Sequence, residues 1–191
     1  MVIGISGYTG SGKSTVAEYL CQKYPSLTLI DADKTARKLM LENCDLIKDV
    51  GKGFGVVENG AINFSKLGAI VFESVENLKK LNSITFPYII PAIENQLKSS
   101  QFAILDAALL PLFLSREMCE FSIWVDSNIE KRAQRLQNRT GLEVSVIQNR
   151  IQKQMELIPT PVEGDLWKIV ENNSTVEDLF EKIDKFSFVF E

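Results

Sequence analysis

The chain has 191 residues, of which 45% are hydrophobic and 24% are charged, as expected for one globular domain. Its net charge of −4 disfavours a general nucleic-acid binder, which would carry a surplus of basic residues. There is no histidine, so any catalytic base must belong to another residue type.

Short apolar runs alternate with helical patterns along most of the chain. This alternation predicts an α/β fold of three layers with a five-stranded parallel sheet and flanking helices. The predicted strands span residues 2–6, 27–31, 102–106, 121–126 and, more weakly, 167–170.

Two segments depart from this alternation. Residues from about 42 to 99, here called the insertion, show no convincing strand and predict several short helices, with a turn at Glu58–Gly60. Pro87 and Pro91 are expected near the start of one of these helices, where proline is tolerated. Residues from about 128 to 160, here called the lid segment, are rich in basic side chains, and Gly141 is expected to end a helix there.

Residues 7–14 (GYTGSGKS) match the phosphate-binding pattern G-x-x-x-x-G-K-[ST], the P-loop. The match directly follows a predicted buried strand and opens a predicted helix, as this loop requires. Its backbone N–H groups hold phosphates, its lysine reaches the β- and γ-phosphates, and its serine hydroxyl binds Mg²⁺. We predict that ATP is bound by Gly10, Ser11, Gly12, Lys13, Ser14, Thr15 and Arg135, with Ser14 on the metal.

Acidic residues follow two of the predicted strands, at the edge where parallel α/β sheets bind ligands. Asp106 is typical of the carboxylate that holds Mg²⁺ in P-loop enzymes, although it could instead cap a helix. Asp31 or Asp33 could face an acceptor hydroxyl. Alternatively, either could cap a helix, and Asp33 could pair with Arg37 four residues later. We expect Lys13 or Arg37 to lower the pKa of Asp33 and to keep it ionised at neutral pH.

Arg132, Arg135 and Arg139 recur at spacings of three and four, which places them on one face of a predicted helix. Such a stripe could close over the triphosphate as a lid, or it could be an ordinary solvated face. Arg150 and Gln154 share a face of the next predicted helix and are further candidates for the same role.

Several segments together resemble the dephospho-coenzyme A kinase family of P-loop kinases. Residues 31–37 follow its D-A-D-x-x-A-R segment, and residues 78–87 follow its L-x-x-L-N-x-I-x-H-P segment. The resemblance implies a P-loop kinase fold in which the ATP γ-phosphate passes to the ribose 3′-hydroxyl of dephospho-coenzyme A. It also implies that Asp33 is the base and Arg139 the lid arginine, that Arg37 and Asp106 help Asp33 to bind substrate, and that the insertion holds the acceptor's pantetheine arm.

The chain departs from that family's pattern at three places. Phe64 stands where the family has arginine, Phe86 stands where it has histidine, and residues 159–165 replace its K-R-x-x-A-D run. The prolines of this last segment forbid a continuous helix. Two rival interpretations remain open at this stage: another small-molecule kinase, such as a nucleoside monophosphate kinase, or a nucleotide-binding protein without catalysis.

The remaining features bear on compartment and partners. Cys21, Cys44 and Cys119 are far apart, which indicates free thiols in a reducing cytoplasm. The apolar run at the N-terminus is too short for a signal peptide, and no run approaches the ~18 residues of a transmembrane helix. We therefore expect a cytoplasmic monomer or weak homo-oligomer that uses ATP and dephospho-coenzyme A, with no membrane or nucleic-acid partner.

Overall fold

A computed structural model describes residues 1–113, 118–164 and 166–186. The strands, in chain order, are β1 Val2–Ser6, β2 Thr28–Asp31, β3 Val57–Glu58, β4 Ala61–Ile62, β5 Ala103–Asp106, β6 Phe121–Asp126 and β7 Trp167–Glu171. The helices are α1 Lys13–Lys23, α2 Ala32–Glu42, α3 Cys44–Phe54, α4 Phe64–Val71, α5 Val75–Lys98, α6 Leu110–Phe113, α7 Ile129–Thr140, α8 Val144–Leu157 and α9 Val176–Asp184.

The main sheet has five strands in the order β2-β5-β1-β6-β7, and every neighbouring pair is parallel. The predicted sheet is therefore confirmed. The pairing sets Asp106 beside both Ile5 and Asp31, so the carboxyl ends of three strands meet at one edge. This edge is the place where parallel α/β sheets bind their ligands.

Helices cover both faces of the sheet, which confirms the three-layer architecture. On one face, Ile3 and Ile5 of β1 pack with Leu20 of α1 and with Leu179 and Ile183 of α9. On the other face, a second cluster joins Leu105 of β5 to Ile89 and Ile93 of α5. A sheet buried on both sides needs apolar side chains at consecutive positions, and this explains the short continuous apolar runs in the sequence.

The insertion has its own small core, formed by Leu46, Val50, Val56, Leu67 and Val71. The expectation that it lacks strands is wrong, because β3 and β4 pair as an antiparallel hairpin. Two residues per strand are too few to show a period-two pattern, so the hairpin leaves no sequence signal. Its turn was predicted, and Asn59 and Gly60 take the positive φ angles of 51° and 79° that suit a tight hairpin.

The placement of Pro87 and Pro91 near a helix start is also wrong. Both lie inside the long helix α5, where each proline removes one backbone hydrogen bond. The same helix buries Ile89 and Ile93 against the sheet. Full burial of one such side chain contributes about 1.5–3 kcal/mol, against a cost of about 3 kcal/mol for each interior proline. Leu78, Leu81 and Ile84 of the same helix pack against the core of the insertion, and these contacts together offset the local cost of the prolines.

The helix ends in the second half of the chain follow the sequence expectations. Gly141 ends α7 with φ of 66°, and α8 ends at Leu157, before the first proline of the segment that replaces the family's pattern. Thr175 caps α9 by accepting a hydrogen bond from the Asp178 backbone N–H at 3.2 Å. The phenylalanines at 186, 188 and 190 predict a terminal helix that packs onto the core. Phe186 packs against the core, whereas Phe188 and Phe190 lie outside the described residues.

Two further observations concern the cysteines and the apolar character of the helices. Cys21, Cys44 and Cys119 are all free thiols, as the sequence predicts. None of the helices in the described ranges combines the length and the apolar character that crossing a bilayer requires.

Candidate active site

The P-loop joins β1 to α1 and depends on glycines at defined positions. Gly7, Gly10 and Gly12 have φ angles of 151°, 82° and 102°, which L-residues with side chains rarely adopt. A Cβ on Gly7 would lie 2.3 Å from the Val125 carbonyl oxygen, so the loop also needs the space. Gly12 precedes α1 without a capping side chain, and the helix's first N–H donors are therefore open to a phosphate.

The loop is braced from outside by Arg135 of α7 and by Asn172, which follows β7. Arg135 Nη1 donates to the carbonyl oxygens of Gly10 at 3.1 Å and Ser11 at 3.3 Å, and Asn172 Nδ2 donates to the Ser11 oxygen at 2.7 Å. Arg135 also lines a cavity of about 170 Å³ at the P-loop together with Lys13 and other loop residues. Asn172 was not predicted as a site residue, although its position just after a parallel strand was a usable signal.

Ser14 and Asp106, the two residues predicted to hold Mg²⁺, lie in direct contact. The Ser14 hydroxyl donates to Asp106 Oδ2 at 2.7 Å, and Lys13 Nζ lies 3.9 Å from Asp106 Oδ1. Burial raises the pKa of Asp106, while Lys13 and the Ser14 hydrogen bond act in the opposite direction. These two contacts with Asp106 bring the three side chains together at the carboxyl edge of the sheet.

These oxygens suit a hard divalent cation. Asp106 Oδ1 is buried and has no hydrogen-bond partner among the described residues, so one carboxylate oxygen is available as a ligand. The described residues contain no group of three or more His, Cys, Asp and Glu side chains that could hold a metal alone. A Mg²⁺ ion here would take its other ligands from phosphate oxygens and water, as this ion usually does.

Asp33 lies in the first turn of α2 and makes no capping hydrogen bond there. The cap is Asp31, which accepts from the Lys34 backbone N–H at 2.9 Å. Asp33 lines an open cleft and remains exposed to solvent. Desolvation by the surrounding protein nevertheless raises its pKa, while Lys13 lowers it and Asp31 raises it further. The expected lowering of this pKa is wrong, because desolvation in the cleft outweighs the attraction of Lys13.

Arg37 does not pair with Asp33. No ion pair of Arg37 occurs among the described residues, and its guanidinium carbon instead lies 3.5 Å from the centroid of the Phe64 ring. The second aromatic departure, Phe86, packs edge-on against Phe113 with ring centroids 5.6 Å apart. Phe64 lines the large cavity described below, whereas Phe86 is not among its described lining residues.

The arginines of α7 do not form one functional stripe. Arg139 lines both cavities, but Arg132 is 2% exposed and its guanidinium lies over the Tyr8 ring, 4.8 Å from the centroid. The prediction that Arg132 faces the phosphates is wrong. Arg132 precedes Arg139 by about two helical turns, roughly 10 Å along the axis, and this end of α7 packs behind the P-loop.

A second cavity, of about 530 Å³, lies between the insertion and the lid segment and reaches the P-loop at Thr9. The Thr9 backbone N–H donates to Gln154 Oε1 of α8 at 2.7 Å. Asp33, Arg37 and Arg139 all line this cavity, so residues predicted from separate segments come together there. Its other walls are mainly aliphatic and aromatic side chains from α4, α5, α7 and α8.

The lid segment contacts the insertion directly across this cavity. Asn149 Nδ2 of α8 donates to the Phe72 carbonyl oxygen at 3.2 Å, and the Arg150 guanidinium lies 4.8 Å from the centroid of the Phe72 ring. The cavity is therefore bridged on one side by two contacts at the end of α4.

Comparison with known proteins agrees with this geometry. The family model for dephospho-CoA kinase matches residues 1–178. The chain belongs to the dephospho-CoA kinase family. It is 32% identical over 191 residues to the dephospho-CoA kinase of Fusobacterium nucleatum, covering 97% of this chain and 96% of that one. It is also 32% identical to dephospho-CoA kinase CAB5 of Saccharomyces cerevisiae, covering 96% of this chain and 80% of the yeast protein.

Solved structures agree on the fold. A Thermus thermophilus protein superposes with a TM-score of 0.72 at 23% identity, covering 97% of this chain and 95% of that one. The dephospho-CoA kinase of Campylobacter jejuni superposes with a TM-score of 0.58 at 21% identity, covering 96% and 94%. At these identities the likeness shows a shared P-loop kinase fold, while the family assignment rests on the sequence matches.

The raised pKa of Asp33 leads to the first prediction. In the free protein, the Asp33 carboxyl should titrate above its ordinary value of 3.8, as followed by carbon-13 NMR of the side chain. Asp31→Asn should lower that pKa, because it removes a negative charge that raises it, while asparagine still caps α2. An Asp33 carboxyl that titrates at or below its ordinary value would contradict the burial argument.

Proposed function

We propose that this chain transfers the γ-phosphoryl group of ATP to the ribose 3′-hydroxyl of dephospho-coenzyme A. The observation that carries the proposal is the position of Asp33, which lines the large cavity and interacts electrostatically with Lys13 of the P-loop. A carboxylate is thereby placed between a phosphate-binding loop and a cavity able to hold an acceptor. Family membership supports the same acceptor.

ATP would be bound by the P-loop and the lid segment. The open N–H groups at the start of α1 and the Lys13 ammonium would hold the β- and γ-phosphates. Arg139, which lines both cavities, would contact the transferring group as negative charge spreads over its oxygens. Arg135 would act mainly by holding the loop's carbonyl groups, since it donates to two of them.

Ser14 and Asp106 would hold Mg²⁺, either directly or through water. When bound, this ion neutralises charge on the β- and γ-phosphates and orients them for in-line transfer. Two features support this role: Asp106 Oδ1 accepts no hydrogen bond in the described structure, and the other oxygen, Oδ2, is held by the Ser14 hydroxyl.

Asp33 would orient the acceptor hydroxyl and accept its proton. A general base works best when its pKa is close to the operating pH, and desolvation by the surrounding protein moves the pKa of Asp33 upward, in that direction. Lys13 acts against this shift, because its positive charge favours the ionised carboxylate. Arg37, on the same helix, would bind an anionic part of the acceptor.

The large cavity suits an acceptor of mixed character. Its aliphatic and aromatic walls would hold the uncharged pantetheine arm, and its arginines would face the diphosphate. Every residue used in this proposal lies in the described part of one chain, so the proposed reaction can take place within a single chain. The free thiols are compatible with a cytoplasmic site of action.

The second prediction concerns the choice of acceptor. With ATP and Mg²⁺, dephospho-coenzyme A should be phosphorylated with a kcat/KM far above those for AMP, CMP and adenosine, because only it fills the apolar cavity. ADP release would be followed in a coupled assay, with Lys13→Met prepared identically as the control for contaminating kinases. A comparable kcat/KM for CMP would favour a nucleoside monophosphate kinase, and binding without turnover would favour a non-catalytic protein.

The third prediction concerns the base. Asp33→Asn keeps the size of the side chain and one oxygen but removes the proton acceptor, so kcat should fall by at least about 100-fold. The KM for ATP should change little, because Asp33 is not among the residues that line the P-loop cavity. Asp31→Asn is the matched control and should retain most of the activity. A loss below about tenfold in Asp33→Asn would mean that this residue only positions substrate.

A further inference from the structure

A phenylalanine lies at each end of helix α4, and the ring of each one contacts the guanidinium of an arginine from another element. Phe64 begins α4 and lies under Arg37 of α2, with 3.5 Å between guanidinium carbon and ring centroid. Phe72 follows the last residue of α4 and lies under Arg150 of α8 at 4.8 Å. Both phenylalanines and both arginines line the large cavity.

The charges facing this cavity are unbalanced. Among its described lining residues, Arg37, Arg139 and Arg150 are basic, and Asp33 alone is acidic. None of the three arginines forms an ion pair within the described ranges. A guanidinium that stacks face-on against a ring keeps its N–H groups, which lie in its plane, free to donate.

The close stacking explains how Phe64 can replace an arginine at this position. An arginine would add charge beside Arg37, whereas the aromatic ring attracts the guanidinium and restricts its plane. A flexible exposed arginine loses rotamer freedom when it binds an anion, and a ring that already restricts it reduces this loss. With Phe64 in place of an arginine, the chain lacks one possible charged contact to the acceptor. In return, the ring restricts the orientation of the remaining arginine, Arg37.

We infer that Phe64 is a positioning residue that holds the Arg37 guanidinium ready to bind a phosphate group of the acceptor. The inference rests on the proposed function and deepens it, because it names the element that recognises the acceptor's diphosphate. Phe64 acts through Arg37, so its effect appears in the KM for the acceptor and leaves phosphoryl transfer itself largely unchanged.

Phe64 also packs at the edge of the insertion's core, and a purely structural role is the competing explanation. The two roles differ in one measurable respect. A structural role predicts that Phe64→Leu has the same effect with or without Arg37, whereas a positioning role predicts that its effect requires Arg37. A double-mutant cycle measures this difference directly.

The fourth prediction is the outcome of that cycle, measured with dephospho-coenzyme A as acceptor. Phe64→Leu should raise the acceptor KM roughly 2- to 30-fold, the range expected for loss of a cation–π contact, with kcat and the KM for ATP within about twofold of wild type. Phe64→Tyr keeps the ring, and this variant should retain the wild-type KM for the acceptor. In an Arg37→Ala background, Phe64→Leu should change the acceptor KM by less than about twofold.

Phe72→Leu is the matched control, since it removes a ring from the other end of α4 and from the edge of the same core. Its effect should be the same with and without Arg37. Thermal unfolding of each variant checks that the compared chains are folded. Equal effects of Phe64→Leu in both backgrounds, or an unchanged acceptor KM, would overturn the inference.

The same cycle can be read by calorimetry as the Kd for dephospho-coenzyme A, and this separates the inference from the proposed function. Coupled binding without turnover would support the positioning role and contradict the proposed reaction. Turnover without coupling would do the reverse. Failure of the wild-type chain to bind dephospho-coenzyme A would overturn both.

Discussion

The site depends on the positive charge of Lys13 among the carboxylates at the carboxyl edge of the sheet. Lys13 lies 3.9 Å from Asp106, and both side chains are largely buried, with 15% and 6% exposed. It also lowers the pKa of Asp33 and of Asp106, against the desolvation that raises both. Removing the partner of a buried charge typically costs several kcal/mol, so Lys13 supports the folded site as well as the phosphates.

This arrangement sets the electrostatic problem that a kinase must solve. A triphosphate has to approach an edge that already carries Asp31, Asp33 and Asp106, and like charges repel strongly where water is excluded. The positive charge that would attract the triphosphate comes from the N-terminus of α1, from Lys13, and from a group of arginines that form no ion pairs in the described structure. A divalent cation at Ser14 and Asp106 would complete the balance.

Hydrogen bonds connect the lid segment to the P-loop on one side and to the insertion on the other. Gln154 accepts from the Thr9 backbone N–H, Arg135 and Asn172 hold the loop's carbonyl groups, and Asn149 of the same helix as Gln154 donates to the insertion. Both substrates would therefore bind against elements that already contact each other. Acceptor-side residues such as Phe64 can then affect binding without being part of the chemical step.

Local signals in the sequence were sufficient to predict the sheet, the P-loop and the position of Ser14 and Asp106 at the carboxyl edge of the sheet. The strands are short continuous apolar runs, and the loop is recognised by glycine spacing, so both depend on neighbours in sequence. The failures depend on distant contacts. The contact of Arg132 with the Tyr8 ring and the stacking of Arg37 on Phe64 join separate elements. The pKa of Asp33 likewise depends on desolvation by the surrounding protein and on the charge of Lys13, which is distant in sequence. Pro87 and Pro91 stay helical because tertiary packing outweighs a local rule.

The central claim is that one phosphoryl group moves from ATP to the ribose 3′-hydroxyl of an acceptor held beside Asp33. Phosphorus-31 NMR of the product formed from ATP, Mg²⁺ and dephospho-coenzyme A tests this most directly. We predict one new phosphate monoester, coupled to the ribose 3′-proton, for every ADP released. A phosphate on another hydroxyl, an extended phosphate anhydride, or release of inorganic phosphate without a new ester would contradict the account.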